Sequence, residues 1–284
     1  MHILNIKKAN LIASKPKRRL FYTLIPVFLV FFFFVGIYIS PLVQFWYSHA
    51  AASIIWDGSS DGDGDGLLWS DPLNWNTNVV PTVTDDVLID LSTTVRITEP
   101  VTINSLVIGN SASTAISVLE FGYDATSIGP LTLTNGSLTL YNAATITHLP
   151  ASGSFIAGRI NIDVQNGNAN IYGTINVDSK GYTAGLGQGT NHEYGAGGGG
   201  YGGEGGIGAA ASGITYYLGG AGGASYGSYL APVDLGSGGG LKNLLYAPGG
   251  GAVKLTVSGT TTINGTITSD GAVGPAYGGS SGGG

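Results

Sequence analysis

The sequence predicts an all-β protein, and three observations lead to this class. After Ala52, short runs rich in Thr, Val and Ile are separated by Gly, Asn, Asp and Pro. Several runs alternate apolar and polar residues, as around Val95 and Ile97 or Leu131 and Leu133, which is the pattern of half-buried strands. No window of a dozen residues there repeats its apolar side chains at the helical period. Branched β-carbons suit an extended backbone, so we expect strands throughout.

Two all-β architectures fit these strands: a right-handed parallel β-helix (a β-solenoid) and a β-sandwich. The many short strands, the low charged content of 10% and the recurrent Thr, Asn and Ile favour the solenoid. The stretch "TNGS", residues 134–137, fits either a tight hairpin or a sharp corner. Two stretches, 172–182 and 264–274, are similar, and their matching glycines, Gly173 and Gly265, are 92 residues apart. We therefore expect residues 53–180 and 252–271 to form one continuous β-structure.

Glycine accounts for 49 of the 284 residues and is concentrated in one long segment. That segment lacks the Gly-X-Y period of collagen. It is expected to be either a set of close-packed polyproline-II strands, with tyrosines over glycine backbone, or a mobile loop. The predicted organisation is a basic segment with signal peptide or anchor (1–52), a Trp/Asp-rich cap (53–90), solenoid strands (86–180), the glycine/tyrosine-rich insertion (181–251), returning solenoid strands (252–271) and a second glycine-rich excursion (272–284).

The first fifty residues predict export. Residues 20–39, "LFYTLIPVFLVFFFFVGIYI", contain no charged side chain, and as a helix they would span about 30 Å, one hydrocarbon thickness. Six of the 11 basic residues precede them, which places the N-terminus in the cytoplasm. The stretch "SHAAAS" at 48–53 fits a signal-peptidase site. Both a cleaved signal peptide and a retained membrane anchor lead to an exported body at the cell surface or outside the cell.

The exported part offers few groups for catalysis. It is acidic, since residues 53–284 hold all 17 acidic residues and carry a net charge of −12, which argues against a nucleic-acid partner. Cysteine is absent, and histidine occurs after the apolar segment only as His49, His148 and His192. A polysaccharide-cleaving enzyme would need convergent carboxylates, whereas the candidates are dispersed: Glu120, Asp124, Asp163 and Asp178. We therefore expect no catalytic residue, no bound cofactor and no enzymatic activity.

One stretch, "WDGSSDGDGDGLLWSDPLNW" at 56–75, could bind a metal. Asp61, Asp63 and Asp65, followed by a glycine, match the opening of an EF-hand-type calcium loop. The twelfth position, where a bidentate Glu is expected, is Pro72, so a solvated turn is the competing interpretation. The tryptophans of this stretch either cover an open end of the core or stack on sugars; they are Trp56, Trp69 and Trp75.

Two parts of the chain resemble large bacterial cell-surface proteins of the adhesin type. Residues 56–89 share the succession Trp-Asp-Gly, Trp-Ser, Asn-Trp, Val-Pro and Asp-Asp-Val with the N-terminal module of that class. The glycine-rich tract followed by "GGGAVKLTVSGTTTINGTITSDG" is similar to its β-helix part. The resemblance implies a structural or adhesive protein with envelope or extracellular partners, possible glycan partners among them, and no shared catalytic site. Such proteins are usually far longer, so the chain is expected to be an N-terminal fragment. The alternative function is an extracellular β-helix protein that binds or cleaves carbohydrate.

Overall fold

The computed structural model describes residues 53–60, 62–112, 114–152, 156, 158–183, 187–191, 195–212, 215–228, 233–240, 247–274 and 280–282. Strands are the main regular secondary structure of these residues, and the helical elements among them are a 3₁₀ turn, Pro72–Asn74, and one short helix, α1 (Ala125–Ile128). The all-β class is therefore confirmed. In this part of the chain, no helix has both the length and the apolar character needed to cross a membrane. The predicted helix at 20–39 lies outside the described residues.

Most strands belong to three parallel sheets. Sheet 1 has the order β1 (Ile54–Ile55), β2 (Asp86–Ile89), β5 (Ser105–Ile108), β8 (Leu138–Leu140), β11 (Ala169–Ile171), β16 (Thr261–Ile263). Sheet 2 has the order β3 (Thr93–Ile97), β6 (Ser117–Phe121), β9 (Thr145–His148), β12 (Thr174–Asn176), β17 (Thr266–Thr268). Sheet 3 has the order β4 (Thr102–Ile103), β7 (Leu131–Leu133), β10 (Ile160–Val164), β15 (Val253–Val257). The remaining pair, β13 (Ala209–Ser212) with β14 (Thr215–Leu218), is antiparallel.

The chain visits sheets 1, 2 and 3 in turn, and one such passage is termed a rung. Rung 1 consists of β2, β3 and β4, rung 2 of β5, β6 and β7, and rung 3 of β8, β9 and β10. Rung 4 contains β11, β12 and β15, and rung 5 begins with β16 and β17. The "TNGS" stretch joins β7 of sheet 3 to β8 of sheet 1, so it is a corner and not a hairpin. From β2 onward, consecutive strands of the three sheets belong to different sheets and do not pair with each other, unlike those of an antiparallel sandwich.

The core consists of the alternate side chains that point inward from each sheet. In sheet 1, Ile108, Leu140 and Ile171 lie opposite one another on successive rungs and are fully buried. Burying each such side chain contributes about 1.5–3 kcal/mol. Thr139 and Asn170, which precede Leu140 and Ile171, are polar outward positions and are only partly buried. The strand alternation predicted from sequence thus corresponds to one buried column and one outward column.

The three tryptophans close the core beside rung 1. The main-chain N–H of Trp56 donates to Leu88 on β2 (2.9 Å), and that of Trp69 donates to Arg96 on β3 (2.9 Å). Trp75 contacts both indoles edge to face, at centroid distances of 5.0 and 4.7 Å. The exposed fractions of Trp56, Trp69 and Trp75 are 0, 3 and 0%, and all three join the main apolar cluster. Their predicted burial is confirmed, and the alternative interpretation, that these indoles form an exposed platform for sugars, is wrong.

The glycine-rich insertion interrupts rung 4 between β12 and β15 without shifting the strand register. Thr174 on β12 lies opposite Thr266 on β17, and Ala169 on β11 lies opposite Thr261 on β16. In both pairs the partners are 92 residues apart, which is the spacing of the sequence echo. Sheet 3 continues as well, because β10 pairs with β15 over five residues. The strand pairing predicted between the two segments is therefore present.

Main-chain hydrogen bonds inside the insertion recur every third residue. The N–H groups of Gly197 and Gly200 donate to the carbonyls of Thr190 (2.9 Å) and Gly187 (2.7 Å). The same three-residue step on both partners connects Gly205 and Gly208 to Gly223 and Gly220, each at 2.8 Å. A period of three is the repeat of a polyproline-II helix, whereas a strand repeats every two residues. Outside β13 and β14, the hydrogen-bonded glycine runs of the described insertion are therefore close-packed threefold segments, and we call them the glycine slab.

Glycine is required in this slab for space more than for backbone angle. Among the described glycines of the insertion, only Gly227 has a positive φ. Instead, neighbouring backbones approach so closely that a β-carbon at Gly223 would overlap the carbonyl of Gly187, and one at Gly197 the carbonyl of Ala221. The packing gained by this approach offsets the large entropy that glycine loses on ordering.

We expect Gly223→Ala to destabilise the slab and Gly203→Ala to leave it intact. The first methyl group meets the Gly187 carbonyl, whereas a β-carbon at Gly203 has no neighbour within 4 Å. Overpacking of this kind costs about 1–3 kcal/mol. Hydrogen exchange measures the effect: amides of residues 187–223 should exchange faster in Gly223→Ala, while those of β5, β8 and β11 keep their protection. Equal exchange in the two variants would contradict close packing.

Candidate functional site

Asp65 is the predicted calcium ligand that the structure describes in most detail. Its Oδ1 accepts hydrogen bonds from the N–H groups of Leu67 and Leu68 and from the side-chain amide of Asn74, each at 2.8 Å. Burial alone would raise the pKa of this carboxyl, but the three hydrogen bonds bring its pKa below the ordinary value. Asp65 therefore serves as an internal acceptor. Asp63 is described and exposed, and Asp61 lies outside the described residues.

The loop around Asp65 is organised by Asn74, which is fully buried. The Oδ1 of Asn74 accepts from the N–H of Gly66 (2.8 Å), and its Nδ2 also donates to the carbonyl of Leu68 (2.9 Å). The alternating glycines of the stretch have a backbone reason: positive φ values occur at Gly58, Gly62, Gly64 and Gly66. Within the described residues, no three His, Asp or Glu side chains are grouped to hold a metal. Calcium binding here stays a prediction from sequence.

The calcium hypothesis is tested by thermal melting of the chain in calcium and in chelator. We expect the two melting temperatures to agree, both in the wild type and in the triple variant Asp61→Asn, Asp63→Asn, Asp65→Asn. Asn at position 65 keeps an oxygen that can accept the same hydrogen bonds. A genuine site would stabilise the folded state by about 2.7 kcal/mol at a hundredfold excess of ion over Kd. A calcium-dependent rise of several degrees, lost in the triple variant, would establish the site.

The four dispersed acids each have a different structural partner. Glu120 forms an ion pair with Arg96 (2.7 Å), and Asp124 accepts from the hydroxyls of Thr126 and Ser127 at the start of α1 (2.8 Å each). The other two form contacts of their own: Asp163 accepts from Gln165 (3.1 Å), and Asp178 accepts from the N–H of Asp270 (2.7 Å). In these contacts the carboxylates stabilise strands, corners and α1.

His148 is buried where the glycine slab returns to the sheets. Its Nε2 accepts from the N–H of Ala252 (3.3 Å), so Nδ1 carries the proton and donates to the carbonyl of Leu149 (2.7 Å). Burial lowers the pKa of this imidazole to about 4, because the charged form would lose its hydration. A methyl group at Gly251 would overlap the ring, which ties this glycine to the histidine. His148 is thus a neutral connector between sheet 2 and the end of the slab.

The lowered pKa of His148 makes folding depend on pH. Below pH 6.5 the unfolded chain binds a proton at this residue, whereas the folded chain stays neutral down to about pH 4. The free energy of unfolding should therefore fall as pH drops through this window, by up to about 3 kcal/mol from this group. Urea titrations between pH 7.5 and 4 measure it. His148→Gln should flatten the curve; an unchanged slope would show that the histidine is protonated in the folded state.

A cleft at the corner between sheets 1 and 2 is the strongest candidate for a binding site. Equivalent corner positions are occupied by Gly109, Tyr141, Tyr172 and Asn264. Each donates its N–H to the last strand residue of the preceding rung, at 2.7, 3.0, 2.8 and 2.9 Å. The rings of Tyr141 and Tyr172 stack at 6.2 Å with an interplanar angle of 24°. Gly109, the corner residue on the other side of Tyr141, has no side chain with which to continue the column.

The cleft has a volume of about 540 Å³. Asn110, Ser111 and Thr114, which lie between β5 and β6, line one wall of the cleft, and the two corner tyrosines line another side. The lining residues are uncharged: Asn110, Ser111, Thr114, Tyr141, Asn142, Ala143 and Tyr172. Aromatic faces combined with amide and hydroxyl groups suit a ligand that has both apolar and hydroxylated surfaces.

Sequence reasoning missed this cleft, although a signal was present. A tyrosine directly follows a strand in "TLYNAATI" and again in "NIYGTI", 31 residues later. Aligning these two stretches would have placed both rings at one corner.

Comparison of the chain with family models, curated proteins and solved structures finds no match in any of the three.

Proposed function

We propose that this chain is an exported, non-catalytic structural and adhesive cell-surface protein whose body is a right-handed parallel β-solenoid. The observation that carries the proposal is the rung order: each strand pairs in parallel with the strand of the same sheet one rung later. Parallel crossover connections are right-handed in about 98% of cases, which supports the proposed hand. A stack of this kind extends along one axis and suits projection from an envelope. No cofactor is required for this role.

The sequence supports export and surface location. The apolar stretch 20–39 and the basic residues before it favour a signal peptide or a membrane anchor. The resemblance of residues 56–89 and of the glycine-rich tract to bacterial adhesin-type proteins points to the same place. The proposed partners are envelope or extracellular components. An acidic body without a basic stripe does not favour nucleic acid.

Cleavage of polysaccharides is the less favoured alternative. A glycosidase of the usual kind needs two carboxyl groups flanking one bond. In this chain Glu120, Asp124, Asp163 and Asp178 each have a different partner. The binding of carbohydrate has separate support in the corner cleft.

Export is tested by expressing the full chain with a C-terminal epitope in a bacterium. We expect the epitope to fractionate with the envelope or the medium, and protease added to intact spheroplasts to digest it. The variant Phe31→Arg, Phe33→Arg should keep it inside, because each Arg at a helix centre costs about 2.5–3.5 kcal/mol on insertion. The matched control is Phe31→Leu, Phe33→Leu.

The same experiment separates a signal peptide from an anchor. A mature N-terminus after Ala50 or Ala52, found by mass spectrometry, would indicate cleavage, and an intact N-terminus would indicate an anchor. An epitope that is protease-protected in spheroplasts of the wild type would contradict export.

A further inference from the structure

We infer that the cleft at the corner between sheets 1 and 2 binds a neutral saccharide chain. The inference deepens the proposed surface function, since it rests on an extracellular body that meets glycans. Its geometric basis is separate from the export argument. It consists of an interrupted aromatic column, an uncharged lining and a preorganised wall.

The first step is the interruption of the column at Gly109. This residue has a φ of 74°, and a β-carbon there would lie 3.3 Å from the β-carbon of Tyr141 and 3.4 Å from that of Ala144. The corner is therefore tight at the backbone but carries no side chain. On the next two rungs Tyr141 and Tyr172 occupy the equivalent position and stack on each other. A flat ligand can continue the column in the space above Gly109, against Tyr141.

The second step is the character of the two rings. Tyr172 is 36% exposed and Tyr141 is half-buried, so aromatic surface of both is open to solvent in a protein that buries its three cap tryptophans. The face of an aromatic ring is electronegative. The C–H groups on one face of a pyranose ring are apolar and weakly positive, and they complement that surface. The two rings stack on each other with 24° between their planes, so a ligand stacks on the free face of Tyr141, while Tyr172, which also lines the cleft, supports that ring.

The third step is the wall and its polarity. Asn110 is fixed at both ends of its amide: Nδ2 donates to Asp90, and Oδ1 accepts from the N–H of Ala112 (2.8 Å). Ser111, Thr114 and Asn142 are exposed around the opening and supply hydroxyl and amide groups. These groups both donate and accept, as sugar hydroxyls do. Fixing the wall before binding lowers the ordering cost on association.

The absence of charge in the lining selects among ligands. Among the described residues that line the cleft there is no Lys, Arg, Asp or Glu. An anionic polysaccharide or a nucleic acid would find no cation to pair with, and a cationic peptide no lining carboxylate. The described body is itself acidic, which disfavours polyanions further. A neutral glycan satisfies both the aromatic side and the uncharged polar wall.

Binding is tested with the full chain, purified in a detergent without a sugar headgroup. The probes are four neutral hexasaccharides, of β-1,4-glucose, β-1,4-N-acetylglucosamine, β-1,4-mannose and α-1,4-glucose, with oligogalacturonate as the anionic comparison. Titration calorimetry should detect at least one neutral probe. The affinity should be the same at low and high salt, because no charge pair forms.

The variants locate the site. Tyr141→Ala should weaken binding about tenfold or more through loss of the stacking surface, and Tyr172→Ala should weaken it through loss of the supporting ring that also lines the cleft. Tyr172→Phe keeps the ring and should bind within about twofold of the wild type. Ile128→Ala, at a 63% exposed residue at the end of α1, is the control for an unrelated surface change. Thermal melts check that each variant is folded.

The inference would be overturned if no neutral probe binds, or if binding survives in both alanine variants. Preferential binding of oligogalacturonate with a steep salt dependence would likewise overturn it. If glycan binding fails while the epitope is still exported, only the cleft assignment is wrong. If export fails while the glycan binds, the surface proposal is wrong and the cleft stands.

Discussion

The in-register pairing of strands across the glycine slab is the constraint on which the rest of the structure depends. Thr174 and Thr266 lie opposite each other although 92 residues separate them. Because side chains alternate along a strand, a slip of one residue would turn Ile267 outward and Thr266 inward. The slab must therefore begin and end at fixed points. Its ends are held by main-chain bonds such as Gly181 to Gly249 (2.7 Å) and Gly251 to Val177 (2.7 Å).

The two ends of the stack differ in how far their inward side chains are covered. At rung 1, three indoles and the loop organised by Asn74 cover the first strands. At rung 5, the inward side chains Ile263 and Ile267 are 52% and 39% exposed, whereas Ile171 and Ile175 one rung earlier are fully buried. The acidic, glycine-rich loop thus belongs to the covering of a core end. Its carboxylate at Asp65 is occupied by internal donors.

The sequence was sufficient to predict the strands, the burial of the tryptophans and the pairing of the two similar segments. Apolar alternation and an unusually similar pair of stretches carry that information locally. It was insufficient for the assignment of strands to three sheets. The spacing between paired strands varies: Val87 pairs with Leu106 and Leu106 with Leu138. Corners of different length between them leave no fixed period to detect.

The corner cleft was also beyond sequence reasoning, for a related reason. Tyr141 and Tyr172 become neighbours only once the rungs are in register. The gap beside them lies at a glycine, and a glycine in the sequence does not by itself indicate a cleft. The glycine slab posed a different difficulty. Composition alone does not distinguish a mobile glycine tract from a packed one, because the difference lies in backbone contacts such as that of Gly223 with Gly187.

The register across the slab can be measured directly, because the chain contains no cysteine of its own. In the double variant Thr174→Cys, Thr266→Cys the two Cα atoms are adjacent strand partners, about 4.8 Å apart, within reach of a disulfide. In Thr174→Cys, Thr268→Cys they are about 8 Å apart, beyond that reach. After mild oxidation and trypsin digestion without reductant, mass spectrometry should find peptide 160–180 joined to peptide 255–284 in the first variant and not in the second. Equal cross-linking in both variants, or none in the first, would contradict a fixed register between the strands on either side of the slab.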